Sequence, residues 1–214
     1  MQLYTYFRSS AAYRVRIALN LKGLDYQTIP VHLLKDGGQQ LQPEYRALNP
    51  AALVPTLKED DLVLTQSLAI LEYLEETRPQ PALLPADAAG RARVRALALT
   101  IACDIHPLNN LRVLRYLDHT LAIGADARQE WYRHWTANGL AAIEAHLAAE
   151  PATGLFCHGD APTIADCCLI PQVFNAERFG IDLAPYPTVR RIAAHCATLP
   201  AFIAAHPARQ PDAE

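Results

Sequence analysis

The chain has 214 residues, 51% hydrophobic and 19% charged, with a formal net charge of -3. That balance excludes a disordered chain and suffices for one large or two small cores. It also excludes a general nucleic-acid binder, because no basic excess is present to neutralise phosphates.

No apolar run approaches the roughly 20 residues of a membrane span. The opening "MQLYTYF" starts as a strand rather than as a charged and apolar leader, so a cytoplasmic protein without a membrane partner is expected. The five cysteines (Cys103, Cys157, Cys167, Cys168, Cys196) form no C-x-x-C. Buried reduced thiols are expected rather than a disulfide framework. The eight histidines are dispersed without H-E-x-x-H, and no metal site is expected.

In chain order, "QLYTYF" reads as a strand, and a helix follows from about Ala11 to Lys22 with Gly23 at its end. "YQTIPVHL" is a second strand, which Pro30 assigns to a sheet edge or an irregular end. "PEYRAL" is a helical turn, and "VPTLKEDDLVLTQS" is a hairpin turning at Asp60 and Asp61. A helix from about Ser67 to Arg78 closes a small mixed sheet with helices on its faces. "RPQPALLPADAAG" breaks the pattern and divides the chain into 1–80, a linker at 81–90, and an all-helical 91–214. There, Pro107 should kink or split "RARVRALALTIACDIHPLNNLRVLRYLDHTL". "ARQEWYRHWTANGLAAIEAHLAAE" is amphipathic, whereas "TIADCCLIPQVFNAERFG" is apolar on nearly all sides and should be central. "TVRRIAAHCATL" and "PAFIAAH" complete the helical domain.

The chemistry concentrates where strands run into helix N-termini, because unpaired N–H groups and the helix dipole make an anion site there. Ser9 and Ser10 stand at the first such point, where a thiol would be stabilised as thiolate. Serine is also a common N-cap, so the local pattern leaves cap and catalysis open. In "LVP", a cis Val54–Pro55 bond would present the backbone of Val54 to a peptide laid alongside. In "TQS", Gln66 and Ser67 can hold a carboxylate and an amine at a second helix N-terminus, or simply cap it. Thr163-x-x-Asp166 is a capping box, with Asp166 expected to be buried. "DIHPLNNLRVL" sets His106, Asn109, Asn110 and Arg112 around a proline, as either a core network or a polar wall. Arg178 lies near a helix end, where a surface arginine is the ordinary reading.

Taken together, "LYTYFRSSAAYRVRIALNLKG", "LKDGGQQ", "ALNPAALVPTL", "TQSLAILEYLEETRP", "PTIADCCLIPQVFNAERFG" and "HPARQPD" resemble the zeta class of glutathione transferases over nearly the whole chain. The resemblance implies a thioredoxin-like N-terminal domain followed by an all-helical domain, assembled as a homodimer. It implies glutathione as cofactor, with Ser9 stabilising the thiolate, Ser10 and the backbone at Ala11 assisting, and Gln40 and Val54 holding the tripeptide backbone. Gln66 and Ser67 would hold the γ-glutamyl end, and Asn110, Leu111 and Arg112 would line the site. The implied substrate is a small dicarboxylate, with Arg8, Arg178, Arg112 and His106 as its candidate ligands. The family motif carries a cysteine where this chain has Ala11, which puts cysteine-dependent side reactions in doubt.

The activity so implied is cis–trans isomerisation of maleylacetoacetate in tyrosine and phenylalanine breakdown. A thiol adds reversibly to the cis double bond and leaves once the resulting single bond has rotated. Isomerisation of maleylpyruvate is the near alternative, and dehalogenation of small halo acids a side activity. A thiol–disulfide reductase would need a cysteine at the first helix, and residues 9–12 supply none. A non-catalytic scaffold is the remaining alternative.

Overall fold

The computed structural model describes residues 1–214. The chain forms two compact units, Met1–Leu83 with Ala197–Glu214, and Leu84–Cys196.

The first unit is built on a four-stranded sheet of order β2-β1-β3-β4. Strand β1 (Gln2–Thr5) pairs in parallel with β2 (Gln27–Pro30) and antiparallel with β3 (Thr56–Glu59), so Leu3 faces Thr28 and Leu57. Strand β4 (Leu62–Thr65) completes the expected hairpin, and Asp60 takes a positive φ of 53° at its turn. The prediction from Pro30 holds: β2 is an edge strand, where a missing N–H costs no ladder bond.

A parallel β1–β2 pair needs a crossover. Helix α1 (Ser10–Leu21) supplies it, starting one residue before the predicted Ala11. Its end is set by Gly23 at φ 62°, where Leu24 N–H bonds Leu19 O at 3.0 Å and Gly23 N–H bonds Asn20 O at 3.1 Å. From Ala12 to Leu19 the helix is buried. It packs on α3 (Ser67–Thr77) and α9 (Pro200–Ala205).

That second contact corrects the predicted domain assignment, which left everything after residue 90 in the helical domain. The tail belongs with the first unit because α9 anchors to α1. Asn20 Nδ2 donates to Ala201 O at 3.0 Å, and Arg16 Nε to Ala205 O at 3.0 Å. The predicted linker is also shorter than 81–90. The Lys22 ammonium, its side chain fully buried, holds the start of that stretch through Glu75 Oε2, Arg78 O and Pro81 O at 2.8, 2.7 and 2.9 Å. At its other end, Asp87 caps α4 (Ala88–Leu99) by accepting from Gly90 N–H at 2.7 Å.

In the second unit the stretch around Pro107 is broken, as predicted. After α4 come a π-type turn over Thr100–Ile105 and a 3₁₀ turn over His106–Asn109. Next are a short α5 (Leu111–Arg115) and a second π-type turn over Tyr116–Thr120. Helix α6 (Ala125–Ala149) is continuous, and its Glu144 accepts from Thr188 and Val189 N–H at 3.0 and 2.9 Å, closing the start of α8 (Pro187–Cys196). Helix α7 (Ile164–Arg178) is buried along almost its whole length, as its apolar pattern predicts.

Asp166 of α7 is fully buried and completes the predicted capping box with Thr163. Four cysteines are buried, but Cys103 is exposed, against the expectation for the set. It sits in the π-type turn on the face opposite the buried Ile101 and Ile105, beside the exposed Asp104. No helix is long and apolar enough to cross a membrane.

Candidate active site

Ser9 is the N-cap of α1, and its hydroxyl oxygen accepts from Ala12 N–H at 3.2 Å. A hydroxyl has one proton and two lone pairs, so capping leaves the Ser9 proton able to point at an anion. The two readings of the serine are therefore compatible. Ser9 O also accepts from Tyr13 N–H at 2.8 Å, whereas Ala11, second in the helix, has no acceptor for its N–H within it. Ser10 is buried at the first helical position. Arg8, half-buried, lies with its guanidinium 4.7 Å from the centre of the Phe7 ring.

Val54 is buried and its bond to Pro55 is cis. It shares an apolar cluster with Tyr6, Phe7, Val31 and Tyr45, which places it against the segment leading into Ser9. The flanking chain is braced from α2 (Pro43–Leu48) and the residue after it. Tyr45 Oη donates to Leu53 O at 2.6 Å and lies 2.9 Å from Thr56 Oγ1. Asn49 Nδ2 donates to the same two oxygens at 2.8 and 3.1 Å.

Gln40 is held by the loop before α2. There His32 Nδ1 accepts from Leu34 and Lys35 N–H at 3.2 and 2.8 Å, and Gln39 Oε1 accepts from His32 N–H at 2.8 Å. Gly38 must be glycine: its φ is 110°, and a Cβ would stand 2.8 Å from Gln40 Nε2. Gln40 itself is buried, and its Oε1 has no hydrogen-bond partner. A buried acceptor left so is costly unless a ligand satisfies it.

Gln66 takes φ 68°, a left-handed conformation uncommon for its type, and no side chain caps α3 behind it. Ser67 is buried at the helix start, and its Oγ accepts from Arg14 Nη1 at 3.2 Å. The guanidinium of Arg14, itself buried, thus lies behind this second N-terminus.

The remaining predicted residues belong to the second unit. Asn109 settles into the core, where its Nδ2 donates to Thr136 Oγ1 at 2.9 Å and to Tyr132 O at 3.4 Å. Asn110 caps α5, accepting from Arg112 N–H at 3.1 Å. His106 and Leu111 are half-buried, and Arg112 is exposed. The polar cluster therefore divides: Asn109 is a core group, Asn110 a cap, and Arg112 a surface residue. The same stretch of α6 reaches Arg178, because the Tyr132 ring stacks on Phe179 at 3.7 Å and the Arg178 guanidinium lies 4.6 Å from that ring's centre. Burial pushes the Tyr132 phenol well above its ordinary pKa, partly offset by the Arg178 charge.

Sequence reasoning missed Arg14, Arg16, Tyr45, Asn49 and Asp212. Asn49 and Tyr45 lie within "PEYRALNPAALVP", Arg14 and Arg16 within "RSSAAYRVRIAL", and Asp212 ends "HPARQPD".

Two family models match, the N-terminal domain of glutathione S-transferases over residues 8–77 and the C-terminal domain over residues 125–197. A probable maleylacetoacetate isomerase of Vibrio cholerae is 51% identical, covering 99% of this chain and 97% of its own. A solved holo structure of maleylpyruvate isomerase, described as a bacterial glutathione S-transferase of the zeta class, superposes with a TM-score of 0.97 at 51% identity over the whole of both chains. The maleylacetoacetate isomerase of Methylobacterium extorquens AM1, solved with malonate and glutathione bound, gives a TM-score of 0.96 at 46% identity, again over both whole chains.

Proposed function

Because this chain belongs to the zeta class of the glutathione transferase family, we infer that it is a glutathione-dependent cis–trans isomerase acting on maleylacetoacetate. The observation that carries the reading is the Ser9 cap, which leaves a hydroxyl proton at a helix N-terminus whose next residues contain no thiol. The residues fit a peptide cofactor: Gln40 has an unsatisfied buried acceptor, and the start of α3 carries no side-chain cap.

When bound, glutathione supplies a thiolate whose sulfur bonds to one alkene carbon while the π pair moves to the keto oxygen, and which leaves after rotation as that pair returns. The chain's own residues make that sulfur an anion and hold the substrate to it. Ser9 Oγ–H and the Ala11 N–H face the sulfur, and the dipole of α1 favours its negative charge. Gln40 Oε1 accepts from the tripeptide backbone and Val54 pairs with it. Gln66, Ser67 and the open end of α3 take the γ-glutamyl carboxylate, with Arg14 charging that end from behind.

The substrate's carboxylates are assigned to Arg8 and Arg178. The two guanidiniums lie over the Phe7 and Phe179 rings, and a guanidinium binds a carboxylate through its planar fork of N–H donors. Asn110, Leu111, Arg112 and His106 are assigned to the same substrate on the resemblance. Arg8→Ala and Arg178→Ala are expected to raise KM for the diacid on the order of tenfold, about 1.4 kcal/mol each, while KM for glutathione stays within about twofold. Steady-state kinetics with each substrate varied in turn checks this; an unchanged diacid KM in both variants would remove the assignment.

Maleylpyruvate is the second reading. The maleylpyruvate isomerase structure shares 51% identity with this chain, the same as the Vibrio maleylacetoacetate isomerase. Comparing kcat/KM for the two diacids decides between them, and the first reading expects the higher value for maleylacetoacetate. A cytoplasmic homodimer belongs to the same reading.

A further inference from the structure

We propose that Arg16 and Asp212 are positioning residues for this reaction, gripping the Thr5 hydroxyl and the backbone of residues 6 and 7 from two sides and so fixing where Ser9 stands. The proposal rests on the glutathione reading above and concerns how the turn before Ser9 is held.

Arg16 is fully buried in α1, yet every acceptor it meets is a neutral oxygen. Nη1 donates to Thr5 Oγ1 at 3.0 Å and to Tyr6 O at 3.4 Å, and Nη2 donates to Phe7 O at 2.9 Å. Nε reaches back to Ala205 O at 3.0 Å, and the cation lies 5.2 Å from the centre of the Tyr13 ring. Burial lowers the guanidinium to about 10, with Tyr26, Tyr13 and Asp212 opposing that shift, so it remains charged at neutral pH. A buried cation without a hydrogen-bonded carboxylate is an expensive way to fill a core. Its planar fork, however, binds several carbonyls at fixed angles, which an apolar side chain cannot do.

Asp212 approaches the same segment from the tail. Its Oδ2 accepts from Phe7 N–H at 3.0 Å, while its Oδ1 is buried without a partner. Phe7 therefore has its carbonyl on Arg16 and its amide on Asp212. Tyr6 O, shared with Arg16, is also the acceptor for Ser9 N–H at 2.9 Å. The grip thus ends on the residue that meets the thiol. The tail "HPARQPD" finds its use here: Arg16 ties α9 to the turn, and Asp212 returns to the turn itself.

The test uses Asp212→Ala, Asp212→Asn and Arg16→Lys, each first shown to fold by circular dichroism and to be retained on glutathione–agarose. Loss of the acceptor in Asp212→Ala should lower kcat on the order of tenfold and raise the apparent pKa of the bound thiol in the pH–rate profile. Asp212→Asn keeps an oxygen for Phe7 N–H and should recover most of that loss. Arg16→Lys keeps the charge but loses the fork, and should resemble Asp212→Ala; if it fails to fold, the Asp212 pair decides alone. Normal kcat and an unmoved pH profile in folded Asp212→Ala would overturn the proposal, as would a change confined to the melting midpoint. Ser9→Ala measured alongside separates the two levels. If Ser9→Ala is itself silent, the thiolate reading fails; if it moves the thiol and Asp212→Ala does not, only the positioning role falls.

Discussion

Ser9→Ala is expected to lower kcat by roughly 10²–10³-fold, the usual cost of removing one donor from a developing or stabilised anion. The apparent pKa of the bound thiol should rise towards the free-thiol value of about 8.5. The substitution also removes the cap on Ala12 N–H, which costs about 1 kcal/mol of stability in its own right. The two losses are separable with Ser9→Asp. Aspartate restores a cap but offers no proton and places a negative charge beside the sulfur, so stability should return while turnover does not. Thermal melts and pH–rate profiles of both variants measure this. A normal rate and profile in Ser9→Ala would reduce Ser9 to a cap.

The second large effect is on folding. Asp166 lies fully buried and accepts from Cys157 N–H, Thr163 N–H and Thr163 Oγ1–H, each at 2.8 Å. Asp166→Ala leaves those donors without an acceptor and opens a cavity at the start of the central helix of its unit. The expected loss is about 3 kcal/mol or more, a fall on the order of 10 °C in the melting midpoint for a chain of this size. Asp166→Asn should rescue little, because its NH₂ would face groups that are themselves donors. Burial raises the Asp166 carboxyl above its ordinary value, and its hydrogen bonds oppose that shift. A carboxyl raised in the folded state contributes most below its unfolded pKa, and that contribution declines as pH rises through the folded value. The deficit of Asp166→Ala should therefore be no smaller at pH 4 than at pH 7. Calorimetry at both values checks this, and a midpoint within 2 °C of the parent at neutral pH would contradict the account.

Much of this was legible in the sequence because it rests on local rules. Pro30 marked a sheet edge, Gly23 a helix end, Pro107 a break, and Thr163-x-x-Asp166 a cap, each through backbone chemistry that operates within a few residues. The serines, Gln66 and Ser67 were legible from strand-to-helix junctions and Val54 from the proline that opens a strand, and the resemblance gave them roles.

What was not legible depends on partners far along the chain. Arg14 and Arg16, two apart on one helix, look like solvent-facing charges, since arginine is seldom fully buried. Both are buried because Ser67 and the turn at residues 5–7 supply their acceptors. The tail could not be placed with the first unit, since its helix reads like those before it and only contacts with α1 reassign it. Asn109 and Asn110 are adjacent and identical in type, yet one is a core group and the other a cap. Only the 3₁₀ turn around Pro107 separates them.

The cis–trans assay of maleylacetoacetate, run with and without glutathione, decides whether the tripeptide is this chain's catalytic cofactor. Turnover is expected only with glutathione, saturating in it, with the tripeptide recovered unchanged after many turnovers. Turnover without any added thiol, or one glutathione consumed per product, would contradict that cofactor role. So would retention on glutathione–agarose with no isomerisation of either diacid, which is the behaviour of a scaffold.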